Sequence, residues 1–578
     1  MQPERERPPS GAPSAGPAPE RVSIPIDGSS FRGNCSSFTF PPAPVSEESS
    51  SQLKDRASSN GRREGLSVLD RHLLTAAKGG GVVFGGKLFT YASRFVFVLI
   101  LARMLAAEQY GQYNLSLTTV EVLAGLASLG LPTALVRFVA MFASRGDRAG
   151  LWGALQVCLG LTTAVSLVLA VGLYSLAGIV GQHVFHNASV APLLRLVSVF
   201  LPFFTFNDAV AAATRGFKNM HYSTLAQFIC HPLIKLVLIL LLLAVTGLST
   251  TLALVVSGTA EIMVSAMLLY FLRKQLRAHR TDEPSRREPG MMLRYSLPLY
   301  FSDLLNEFSG NFQVLFLGAF SSSSQVGVFA LAKEISRLSQ FFQRSVTTSS
   351  QPIVSEMFTR DAKQEFAGFY QNMTKWTLAL NLPMLLLLVL LPGPLLSLFG
   401  ETFAAGGVAI LWVFVGRRLL HVATGMCGVV LDMSGHTRLK LLNSVVRVVL
   451  LIALNLWLIP RWGALGAAIS AAVSESTDSL LRLIQVRVLF RTFPYNASFL
   501  KTIAAAVIAA VSGLLIGRWL PPERNVLYAA TSCVAVVSTY FVATLMMGLS
   551  REEQVVLARA RNRAVTLLAR IPVSSASR

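Results

Sequence analysis

The sequence predicts an all-α polytopic membrane protein: about fourteen transmembrane helices, forming two parallel six-helix repeats around a central cavity plus a C-terminal helix pair. Three observations predict it. The chain is 52% hydrophobic and 14% charged, with mean hydropathy +0.54, whereas soluble domains carry about 25% charged residues. Apolar stretches near 20 residues, long enough to cross a bilayer, recur along its length. Finally, ARMLAAEQYGQYNL at Ala102–Leu115 returns 216 residues later as GAFSSSSQVGVFAL at Gly318–Leu331. In both copies an apolar helix runs into a short polar loop, and an aromatic-or-aliphatic, Gly, any, aromatic pattern opens the next helix. Matching halves meeting in a membrane place a site between them.

Taken in order, residues 1–72 are rich in Pro, Ser, Gly, Arg and Glu and lack a sustained apolar run, which reads as a disordered cytoplasmic tail. No cleavable signal peptide is expected. The first helix carries the insertion signal behind Arg62, Arg63, Arg71 and Lys78. Expected spans are 80–104, 115–139, 151–178, 190–212, 222–246 and 250–272 in a first bundle (73–272). A basic cytoplasmic linker (273–291) follows, RKQLRAHRTDEPSRREPG at Arg273–Gly290 being the long hydrophilic connection. A second bundle (292–491) holds 292–318, 326–350, 371–398, 403–430, 439–459 and 463–486. An extra pair (492–550) holds 500–519 and 526–548, and a basic amphipathic tail (551–578) is expected on the cytoplasmic leaflet. RGFKNMHY at Arg215 and LDMSGHTR at Leu431 echo the repeat before the fifth and eleventh helices. Interior prolines such as Pro202, Pro232, Pro298 and Pro383 are tolerated in membrane helices.

Loop charge tests this order. With the N-terminus inside, cytoplasmic loops receive Arg145 and Arg148, Arg215 and Lys218, Arg273 to Arg294, Arg360 and Lys363, Arg438 and Lys440, and Arg487, Arg491 and Lys501. The opposite loops hold few basic residues, chiefly Arg461, Arg518 and Arg524. That asymmetry is what the positive-inside rule requires, and it sets both termini in the cytoplasm. The net charge of +21 is thereby spent on orientation and anionic lipid, and nucleic acid is not an expected partner. Cys35, Cys158, Cys230, Cys427 and Cys533 are scattered, so free thiols are expected, with neither a disulfide framework nor a zinc site.

Ionisable residues inside apolar helices carry the functional signal, because they are costly unless they face water or a partner. Lys87 and Arg94 are seven residues apart on the first helix. Lys333, Arg337 and Arg344 on the eighth return to within roughly 40° of one another, a single basic stripe. An anionic head group is a direct reason for such a stripe. Pairing with Asp303, Glu307 or Glu334 is the competing reading. Asp303 and Glu307 also suit a carboxylate site for H⁺ or Na⁺ coupling. Lys235 with Glu261 reads as a structural ion pair, and Glu475, Asp478 and Arg482 as a self-neutralising face. Asp208, Arg137, Arg447, Arg417 and Arg418 are expected near helix ends, and His183, His186, His221 and His231 look isolated by spacing. No phosphate-cradling loop, metal motif or catalytic constellation is present, so no enzyme activity, metal or cofactor is expected.

Arg94 to Ala140, RFVFVLILARMLAAEQYGQYNLSLTTVEVLAGLASLGLPTALVRFVA, with its second copy at Gly318–Leu331, resembles the flippase and polysaccharide-exporter branch of the multidrug/oligosaccharidyl-lipid/polysaccharide exporter (MOP) superfamily. The resemblance implies two six-helix bundles rocking around a cavity in the cytoplasmic membrane. It implies undecaprenyl-diphosphate-linked glycan as substrate, membrane lipids and polysaccharide assembly proteins as partners, and Arg94, Lys333 and Arg337 among the head-group cations. A lipid II flippase and a cation-coupled multidrug antiporter share that fold. An integral-membrane glycosyltransferase would need a long extracytoplasmic loop, and the opposite-side loops are short.

Overall fold

The computed structural model describes residues 89–217, 219–277, 284–360, 363–519, 525–548 and 553–554. Among these every regular element is helical. Eight helices are long and apolar enough to cross a membrane, or ten if each of two bent pairs is one span. Lys87, Cys35 and the expected cytoplasmic tails lie outside the described residues, apart from Glu553 and Gln554.

Helix α1 covers residues 89–104, followed by α2 (Ala107–Ser128), α3 (Leu131–Arg145), α4 (Arg148–Ile179), α5 (Val190–Ser198), α6 (Leu201–Gly216), α7 (Met220–Val245) and α8 (Thr250–Leu276). The sequence ends these elements with ordinary chemistry. Asp147 caps α4 through its carboxylate on the Gly150 N–H (2.8 Å), and Ser249 caps α8 on Leu252 (3.3 Å). The EQYGQYN segment, expected as a loop, already lies within α2, because Tyr110, Tyr113 and Leu115 bury one face and pull the polar residues into the first turns. Leu129 (φ 49°) and Gly130 (φ 68°) then break the expected second span and bend it by 45°. The expected fourth span likewise bends by 42° before Pro202.

The second set comprises α9 (Pro289–Phe320), α10 (Ser323–Arg337), α11 (Gln340–Thr359), α12 (Lys363–Leu390), α13 (Pro392–Ser397), α14 (Glu401–Ala423), α15 (Cys427–Met433) and α16 (Thr437–Phe490). The expected eighth span is therefore two helices, parted at Leu338 and Ser339. The expected break at PRWG is a kink at Gly463 (φ 52°, ψ −127°), where two helices meet within the run labelled α16. Only glycine suits this point, since an added Cβ would lie 1.9 Å from Gln325 Oε1, which accepts the Ala464 N–H at 2.9 Å. Helices α17 (Ala497–Trp519) and α18 (Asn525–Met546) pack on α12 through Leu378, Leu382, Phe499, Val536 and Tyr540, whose hydroxyl donates to the Ala379 carbonyl at 3.0 Å.

The two copies of the repeated segment meet. Gly111 of α2 and Gly327 of α10 lie at the same place in the motif, and here the two backbones touch. A Cβ on Gly111 would fall 1.7 Å from the Ser323 carbonyl oxygen, and one on Gly327 would fall 2.1 Å from that of Ala107. Around this crossing the largest apolar core joins Phe97, Leu101, Leu115, Phe329, Leu331 and Phe414. Beyond it, α1, α2 and α10 diverge and leave a cavity.

Candidate functional site

The cavity has a volume of about 680 Å³. α1, α2, α7, α8, α10, α11, α14 and α16 all contribute to its wall. Its described lining includes seven lysines and arginines (Arg94, Lys235, Lys333, Arg337, Arg344, Arg417 and Arg418) against four glutamates (Glu121, Glu261, Glu334 and Glu475). Polar groups make up a large part of the wall, as expected where helices in a membrane face water instead of lipid.

Two charge clusters oppose each other. On one side Glu334 of α10 is shared: the Arg94 guanidinium of α1 pairs with it, one hydrogen bond being 3.0 Å, and Arg337 reaches it at 3.1 Å. One carboxylate is thus shared by two guanidiniums, and Glu121 of α2 also attracts Arg94. Lys333, one turn before Arg337, is half-buried and donates to the Gly310 carbonyl of α9. On the other side Arg417 of α14 binds Glu475 of α16 at 2.6 Å. Its neighbour Arg418 is 6% exposed, and its Nε has no hydrogen-bond partner among the described residues. A buried cation of this kind is costly until an anion joins it.

Arg94, Lys333, Arg337 and Arg344 thus line one cavity, although the break after Arg337 puts Arg344, exposed on α11, outside any single stripe. Asp303 and Glu307 belong to α9, and their side chains lie outside the described residues. Several expectations need correcting. His231 is not isolated: its Nε2 lies 2.7 Å from Glu261, which Lys235 approaches at 3.6 Å, and all three line the cavity. Glu475 turns away from its own helix's Arg482, which instead binds Asp478 at 2.9 Å, with Arg447 at 3.7 Å from the same carboxylate. Arg417 and Arg418 are buried inside α14, not at its end, and Arg137 stacks on Tyr295 at 4.3 Å. Glu121, mid-helix in α2, drew no attention in sequence; an acid within an apolar run is the signal that marks it.

Comparison with known proteins follows from this geometry. Residues 76–358 match the sequence model of a family described as polysaccharide biosynthesis protein. Residues 298–457 match that of a second family, MatE. Between them the matches run from residue 76 to residue 457 and overlap at the start of the second helix set.

Two curated relatives come from Haloferax volcanii. The "Probable low-salt glycan biosynthesis flippase Agl15" is 22% identical over 34% of this chain and 42% of its own length. The "Probable flippase AglR" is 26% identical over 42% of this chain and 51% of its own length. The chain thus spans about half the length of the curated relatives it matches. Among solved structures, the lipid II flippase MurJ in an inward closed conformation superposes with TM-score 0.65 at 12% identity, over 81% of this chain and 98% of that one. An inward-facing multidrug resistance MATE family transporter gives TM-score 0.53 at 15% identity, over 75% and 97%. At these identities the likeness establishes the fold alone.

Proposed function

We propose that this protein is a flippase that carries a lipid-linked anionic glycan, of the undecaprenyl-diphosphate class, across the cytoplasmic membrane by alternating access. The observation that carries the reading is the excess of cations in the cavity, above all the single carboxylate of Glu334 held between Arg94 and Arg337. A diphosphate there would satisfy both guanidiniums by charge and bidentate hydrogen bonding. The Haloferax volcanii relatives, both described as flippases, support the reading. Helices from 73–272 and 292–491 are the two moving bodies in this proposal, with 273–291 as their linker, the helix pair after 492 as an appendage and both termini cytoplasmic. Arg94, Lys333, Arg337 and Arg344 contact the head group, with Lys87 joining them from the start of the first helix. The protein acts as a carrier, not an enzyme, alongside glycan assembly proteins. Asp303 and Glu307 stay as candidates for H⁺ or Na⁺ coupling.

Arg94→Ala, Lys333→Ala and Arg337→Ala, followed one at a time by export of lipid-linked glycan at matched protein levels, test this. Each is expected to lower export several-fold or more, since a charged hydrogen bond contributes about 1.5–3 kcal/mol. Wild-type export in all three would overturn the anionic-cavity reading. A multidrug antiporter of the same fold is the second reading, favoured by the four glutamates in the wall; efflux of cationic dyes with no effect on glycan export would select it.

A further inference from the structure

We infer that His231, Glu261 and Lys235 form a proton-exchange site linked to anion occupancy of the same cavity; the linkage rests on the flippase reading above. The cluster is built around one carboxylate. Glu261 of α8 is buried and meets donors from two other helices: Asn207 Nδ2 of α6 at 2.8 Å, and from α7 His231 Nε2 at 2.7 Å and Lys235 Nζ at 3.6 Å. The Asn207 amide is oriented by the Ser265 hydroxyl, which donates to its Oδ1 at 2.7 Å, and it also donates to the Glu261 backbone carbonyl at 3.1 Å. The carboxylate is thus held in place with two basic groups against it. With a neutral imidazole, Lys235 and Glu261 balance. With a protonated one, the cluster gains one positive charge facing the cavity.

Imidazole is the side chain whose ordinary titration spans about pH 5–8. Here it has a route for the proton, since His231 is a quarter exposed and lines the cavity. The charged and titratable groups around it are Arg94 from α1, Tyr113 and Glu121 from α2, and Asp208 from α6, the last 3.4 Å from Gln227 of α7.

The helix carrying His231 is irregular at this point. A π-turn, Leu225–Cys230, ends one residue before it, and Pro232 follows it. Pro232 has no N–H for the Phe228 carbonyl, and Thr90 of α1 donates to that carbonyl instead, at 2.6 Å. Such turns are common where a helix has to adjust. The proton site and Arg94 therefore sit on two helices joined by a hydrogen bond. An anion in the cavity favours the protonated cluster, and by reciprocity the protonated cluster favours the anion to the same degree.

The test uses the full-length protein in lipid nanodiscs with an undecaprenyl-diphosphate-linked sugar as probe, a diphosphate diester whose charge stays constant over the pH range used. Affinity of the wild type is expected to rise roughly 5-fold or more from pH 8 to pH 5.5. Calorimetry in buffers of different ionisation enthalpy is expected to show proton uptake on binding. His231→Gln keeps a donor toward Glu261 and removes the titration; it is expected to bind with no pH dependence and no proton uptake. Arg94→Ala is expected to weaken binding at every pH and keep the slope. An unchanged slope and proton uptake in folded His231→Gln would overturn the proton site alone. A wild type without pH dependence, with Arg94→Ala still weakened, would do the same. Undiminished binding by Arg94→Ala would instead count against the flippase reading.

Discussion

Replacing Gly327 with valine should pry apart the crossing of α2 and α10. Even the first carbon of the new side chain would stand 2.1 Å from the Ala107 carbonyl oxygen and 3.1 Å from the Gly111 nitrogen, where ordinary contact begins near 3.4 Å. Both obstacles are backbone atoms of a helix, so no rotamer change relieves them. The helices must separate by about an ångström or more at this end. Overpacking of this kind costs about 1–3 kcal/mol. Spent against one of two conformations, that shifts their ratio roughly 5- to 150-fold. The shift is toward the state in which the repeat end is open. With every native cysteine replaced and Leu117→Cys added in the cavity wall, a membrane-impermeant maleimide applied on the side of Ala107 and Ser323 should label Gly327→Val about tenfold faster than Gly327. Gly327→Ala should fall between them. A folded Gly327→Val that labels at the wild-type rate would refute the gate.

Two further outcomes follow from single contacts. Glu475→Ala leaves the Arg417 guanidinium, 6% exposed in its side chain, without its carboxylate; a loss of about 3–5 kcal/mol is expected from such a vacancy, read as a sharp fall in purified yield and melting temperature, with partial recovery in Glu475→Ala, Arg417→Leu. Thr90→Val removes the donor to the Phe228 carbonyl that Pro232 leaves open; it should cost about 1 kcal/mol and lower the melting temperature by about 1 °C, while Thr90→Ser stays close to wild type.

Membrane solvation explains why so much of the fold was legible. Apolar length, loop cations and the Gly–x–aromatic repeat are one-dimensional properties, and lipid allows little beyond helices to satisfy the backbone. Helix breaks were less legible. Leu129 adopts φ 49° and Gly463 φ 52°, and the break at Leu129 is marked in the sequence only by Gly130 and Pro132 just after it. The PRWG segment reads as a break because Pro and Gly usually end helices, and two helices do part at Gly463, where Gln325 from another helix accepts the Ala464 N–H.

The candidate site divides along the same line. From the sequence alone came the identity of the costly groups: Arg94, Lys333, Arg337, Glu261 and Glu475 stand out because charge in an apolar run demands a reason. Their partners came only from the tertiary structure. Glu334 bonds both to Arg337, three residues away, and to Arg94, 240 residues away; Glu475 passes over its neighbours for Arg417, and His231 finds Glu261 across a helix interface. A charge's cost is local, set by the residues around it in sequence and the lipid they imply. Its compensation is set by distance in space, and only the packing of helices, down to the contact of Gly111 with Gly327, decides which charges come within reach.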